Sequence, residues 1–93
     1  GKMAWPHGFH LRYIAVDPGA SSKHHVRDEE EVILMQAGSL TVELEDGSVT
    51  IGPGDVLTIP IDMPRAFSNG GEGIAEAYVV RGGDHPNPPR LID

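Results

Sequence analysis

Turn-forming residues constrain this chain more than any other feature. Gly, Pro, Asp and Asn divide its apolar and β-branched residues into bursts of about four to eight, leaving no stretch for a long amphipathic helix. The punctuation is Asp17-Pro18-Gly19, Gly38, Asp46-Gly47, Gly52-Pro53-Gly54-Asp55, Pro60 with Pro64, and Gly70-Gly71. Between these marks the pattern predicts strands over 9–16, 23–26, 31–37, 39–44, 48–51, 55–59, 65–69 and 74–81. Asp46-Gly47 is the strongest hairpin signal, because both residues accept positive φ. In the strand before it, Leu40, Val42 and Leu44 share one face and Thr41, Glu43 and Glu45 the other. The strand after it is expected to turn Val49 and Ile51 inward. Many short antiparallel strands without a helical crossover imply an all-β sandwich or barrel.

Length and charge narrow the partners. Ninety-three residues suit one domain and a modest core, and without cysteine neither disulfide nor thiolate chemistry is available. A core this small makes self-association plausible. Seven basic against fourteen acidic residues give a net charge of −7. Nucleic acid and anionic membrane are therefore not expected partners, for lack of a basic footprint. Apolar runs such as VILM and YVV are too short to span a bilayer, and no signal-peptide stretch is visible, so a cytoplasmic location is expected.

The expected organisation is an N-terminal arm or cloning remnant over 1–8, a single barrel over 9–81, and a Pro/Gly-rich C-terminal arm over 82–93. The prolines and glycines of Gly82 to Pro89 cannot continue a central strand. The arm is either a loosely held end or a strap over a barrel mouth or a partner subunit.

Two stretches carry a recognisable spacing. The first runs Gly19, His25, Arg27, Glu31, Gly38; the second runs Gly54, Pro60, Asp62, Arg65, Asn69. Together they resemble the paired motifs of the cupin superfamily, which implies a double-stranded β-helix, or jelly-roll barrel. Members commonly hold a divalent metal through two histidines and a glutamate of the first motif and a histidine of the second. Those places are taken here by His25, Arg27, Glu31 and Arg65. Arginine offers no lone pair, so the usual centre is not expected. No cofactor is expected, and a divalent metal, if one binds, would use His25 and Glu31. His24, adjacent to His25, should point to the opposite face.

The resemblance also implies that His25, Arg27, Glu31 and Arg65 project into one cavity, with an apolar wall of residues such as Ile33, Met35, Leu57, Phe67 and Tyr78. Two arginines favour a small anionic organic ligand, since guanidinium can hold planar oxygen pairs. Ligand-binding candidates are thus Arg27, Glu31, Arg65, Met35, Phe67 and Tyr78. His25 is the candidate general acid or base. Glu31 and Arg65 could equally pair with each other, and Glu29 could either balance Arg27 or lie solvated at the edge. Three functions stay open: a small-molecule-binding barrel without the usual metal; an enzyme using acid/base chemistry or a reduced metal site; and a structural or regulatory module. A homodimer is expected from the resemblance.

Overall fold

The computed structural model describes residues 9–82 and 90–91. The nine strands are β1 (Phe9–Val16), β2 (His25–Val26), β3 (Glu31–Ala37), β4 (Leu40–Leu44), β5 (Gly47–Ile51), β6 (Val56–Ile59), β7 (Arg65–Ser68), β8 (Ala75–Gly82) and β9 (Arg90–Leu91). They form two antiparallel sheets, one ordered β1-β8-β3-β6 and the other β5-β4-β7-β2-β9. Among the described residues there is no helix. This is the expected all-β jelly roll, and the eight predicted strands lie within a residue or two of their places.

Period-two alternation decides what each strand buries. On β3, Glu31, Ile33 and Met35 are buried, and on β8 Ala75, Ala77 and Val79 are. The apolar ones among them meet Leu40 and Val42 of β4, Ile51 of β5 and Ile59 of β6 between the sheets. Val49 departs from expectation: it shares parity with Ile51 but stays 37% exposed, because β5 is an edge strand with little above that end.

The hairpin also differs from the predicted turn. Glu45 and Asp46 make the two-residue connection, and Gly47 alone takes a positive φ, of 138°, opposite Leu44. Gly38 is required more strictly. Its φ is +72°, and a Cβ there would stand 2.5 Å from the Ile74 carbonyl oxygen, next to a register shift in β3 between Met35 and Ala37.

Two polar residues close the barrel ends. Asp62 takes φ 64° in the turn between Pro60 and Pro64, a conformation that aspartate tolerates, and its amide donates to the Arg27 carbonyl. Asn69, 1% exposed, donates through Nδ2 to the carbonyls of Val16 and Gly73 and accepts from the Gly71 amide at Oδ1. It ties the end of β1 to the 69–73 loop, a larger role than a strand-end turn. The C-terminal arm returns to the barrel, where β9 pairs with β2 in the register His25 to Leu91 and Val26 to Arg90. Residues 1–8 and 83–89, assigned above to the arms, lie outside the described residues.

Candidate functional site

The site begins with Glu31, the first residue of β3, which lies opposite Arg81 on β8 and Ile59 on β6. Its side chain is 1% exposed. A carboxylate so far from water needs donors on both oxygens. Arg65 Nη1 donates to Oε1 at 2.8 Å, and Arg81 Nε donates to Oε2 at 2.8 Å. The Nε of Arg27 stands 3.6 Å from Oε2, an ion pair but too long for a hydrogen bond. One carboxylate thus sits among three guanidinium groups.

The three arginines are not equivalent. Arg65 is fully buried, and its remaining donors end on backbone: Nε and Nη2 on the Met63 carbonyl at 3.1 and 2.9 Å, and Nη2 also on the Pro60 carbonyl at 3.1 Å. It clasps β7, the 60–64 turn and β3 together. It is absent from the cavity wall, which corrects its expected place among ligand-binding residues: its donors are spent on protein. The pairing of Glu31 with Arg65, left open from sequence, is formed.

Arg27 and Arg81 line a cavity of about 380 Å³. Its polar wall also holds Ser22, Lys23, His25 and Glu31, and its apolar wall is Ile14, Ile33, Phe67 and Val79. Burial lowers the Arg27 pKa, and Arg81 lowers it further; Glu31 and then Glu29 act in the opposite sense. Glu29 is 5% exposed with no hydrogen-bond partner on either oxygen, so it is not a solvated edge residue but a buried carboxylate acting on Arg27. The Nε of Arg27 is likewise buried without an acceptor.

His25, 7% exposed, faces the cavity from β2. Its Nδ1 is 2.8 Å from the Lys23 carbonyl. A carbonyl only accepts, so Nδ1 carries a proton, and in the neutral ring Nε2 keeps the lone pair. The ring packs at 53° on Phe67, centroids 5.7 Å apart. His24 points the other way, to Glu43 at 3.2 Å, as alternation requires.

Three apolar candidates lie off the cavity wall. Tyr78 is 40% exposed and packs edge-on against Tyr13 on the outer face of the four-stranded sheet. Its β8 neighbours Ala77 and Val79 point inward, so Tyr78 cannot. Met35 is 2% exposed in the core, two residues beyond Ile33, and does not reach the cavity wall. Leu57 packs against the core from β6 and is likewise no part of that wall. Ile33 and Phe67 line the cavity. Arg81, Lys23, Ile14 and Val79 were not singled out from sequence. Arg81 had a signal, since it continues the inward parity of Ala75, Ala77 and Val79.

The residues at the four positions that would supply a metal centre do not fit one. Arg27 and Arg65 have no lone pairs, and both Glu31 oxygens already accept from arginine. Among the described residues no three His, Cys, Asp or Glu side chains converge.

A family model described as Cupin domain matches residues 12–81. Solved structures agree with the architecture. The polyketide cyclase RemF from Streptomyces resistomycificus superposes with TM-score 0.82 at 28% identity, covering 91% of this chain and 61% of that one. The DMSP lyase DddQ from Ruegeria pomeroyi gives 0.82 at 23% identity, covering 91% and 43%. A cupin-superfamily sugar phosphate isomerase from Silicibacter pomeroyi gives 0.72 at 24%, covering 82% and 51%. The last two show the fold alone. The chain thus spans 43 to 61% of the length of these relatives. Among curated proteins none matches significantly.

Proposed function

The chain belongs to the cupin family, and we propose that its barrel binds a small organic anion at Arg27 and Arg81 in place of the metal centre common in that family. The observation that carries this reading is Arg27, which lines the cavity with its side chain 12% exposed and its buried Nε lacking any acceptor. Nε itself is closed to solvent, so a carboxylate or phosphate oxygen entering the cavity would pair with the part of this guanidinium that stays exposed. Arg81 stands beside it, already aligned by Glu31.

The test is a titration of acetate and inorganic phosphate followed through the Arg27 Nε–Hε resonance. Saturable shifts that vanish in Arg27→Gln support the reading; no response to either anion overturns it.

A second reading is favoured by His25, whose protonated Nδ1 is held by the Lys23 carbonyl and whose Nε2 is left for the cavity. Proton transfer at Nε2, beside an oxyanion held by the arginines, would make the protein an enzyme. The 28%-identical polyketide cyclase gives that reading a precedent among relatives. Under it, His25→Asn abolishes turnover while ligand binding persists.

The expected homodimer is supported by the outer face of the four-stranded sheet. Cross-strand register sets Leu11 beside Val80 and Val32, and Tyr13 beside Tyr78, Leu34 and Val56, in two apolar rows. Leu11 and Val56 are each 61% exposed, more apolar surface than scattered residues present.

A further inference from the structure

The cavity contains more than a place for an anion. Its apolar wall selects among anions, and this selection rests on the anion-binding reading above.

The charged groups that act on Arg27 are Arg81, Glu31, Glu29 and Arg65. With Lys23 also on the cavity wall, three guanidinium groups and one ammonium stand against two carboxylates, so the cavity carries an excess of positive charge that an anionic ligand offsets.

The body of the ligand meets a different surface. Among the described residues, Ile14, Ile33, Phe67 and Val79 form the apolar part of the lining, and Ser22 supplies its one side-chain hydroxyl, beside Lys23 and His25. A polyhydroxylated body would leave most of its hydroxyls facing hydrocarbon without partners, each at a cost in affinity. An alkyl or aryl body gains by leaving water and by packing on the Phe67 ring. At about 380 Å³ the cavity lies near the lower end of small-molecule sites, about 300 to 1,000 Å³.

We propose that the ligand class is a small carboxylate with an apolar body, its carboxylate on Arg27 and Arg81 and its hydrocarbon on Ile33, Phe67 and Val79, to the exclusion of sugar phosphates. The sequence motifs placed Arg27 but not Arg81, and could not show how apolar the rest of the lining is.

The experiment is an amide and side-chain NMR titration of the intact chain with phenylacetate, hexanoate, phenylacetamide, ribose 5-phosphate and inorganic phosphate. Phenylacetate or hexanoate is expected to shift Ile33, Phe67 and Val79 together with Arg27. Phenylacetate should bind about tenfold or more tighter than its neutral amide, the scale of a charge-assisted hydrogen bond. Ribose 5-phosphate should bind at least as weakly as inorganic phosphate, since its sugar finds no partners. In Arg27→Gln the advantage of phenylacetate over phenylacetamide should disappear. Ribose 5-phosphate binding as tightly as the carboxylates overturns the ligand class and leaves the anion site standing. Equal affinity for phenylacetate and phenylacetamide overturns both the class and the anion site, as does silence toward every anion. The comparison among ligands on the unsubstituted protein decides the matter even if Arg27→Gln fails to fold.

Discussion

Replacing Arg65 by methionine keeps much of the side-chain volume and removes every donor from the centre of the clasp. The loss is concentrated. Glu31 Oε1 loses its 2.8 Å donor, the Met63 carbonyl loses both guanidinium contacts, and the Pro60 carbonyl is left with the Met63 amide at 3.3 Å. Arg65 has no solvent exposure and Glu31 only 1%, so water cannot take over without opening the barrel. Removing one partner of such a buried pair costs about 3 to 5 kcal/mol. Arg81 still holds Oε2, which places the expected loss toward the lower end of that range. Domains of this size have a total stability of about 5 to 15 kcal/mol, so the variant should fold with little margin. Urea unfolding followed by circular dichroism measures it. With a slope of about 1 to 3 kcal/mol per molar, the midpoint should fall by about 1 to 3 M. Arg65→Lys should lie between the two, because one ammonium cannot reproduce the planar fork that reaches three acceptors. Arg27→Gln, which removes a guanidinium whose Nε has no hydrogen bond, should cost clearly less than Arg65→Met. A loss below about 1 kcal/mol for Arg65→Met, the range of ordinary surface substitutions, would refute the assignment of Arg65 as a structural clasp.

Further outcomes follow from other parts of the fold. Gly38→Ala combines a left-handed backbone with a backbone clash and should cost about 1 to 3 kcal/mol, read as a lowered midpoint in thermal unfolding. Protein incubated separately with iron, manganese, nickel and zinc, then desalted, should retain well under one metal per chain by elemental analysis, because both oxygens of Glu31 are engaged by arginine. Leu11→Asp on the outer sheet face should convert a dimer to monomer in sedimentation velocity while leaving anion titrations unchanged; a monomer before substitution would refute that interface.

Local chemistry was enough for the strands, the turns and much of the core. Alternation in Leu40 to Leu44 and in Glu31 to Met35 announces which side chains are buried, because a strand offers its residues only two faces. The punctuating glycines, prolines and aspartates mark where strands stop, and the two motifs identify the family. The same parity rule, applied to the end of β8, would have turned Arg81 inward and Tyr78 outward. The wall that the family resemblance implies includes Tyr78, a placement to which that rule was not applied.

The site depended on distance across the barrel, which no local pattern contains. Arg27, Arg65 and Arg81 come from three separate strands or their ends, and sequence treats them as like charges. Packing separates them: Arg65 is enclosed and finds carbonyls within reach, Arg81 shares Glu31, and Arg27 faces the cavity with a buried Nε left unfilled. Glu29 is another such case, since a carboxylate beside a charged loop is ordinarily solvated and here is closed in. The sequence alone determined that this chain is a β-barrel of the cupin family with arginines where metal ligands commonly stand. Only the tertiary structure decided which arginine is a clasp and which faces the cavity, because that choice depends on which acceptors the other strands bring within about 3 Å of each guanidinium.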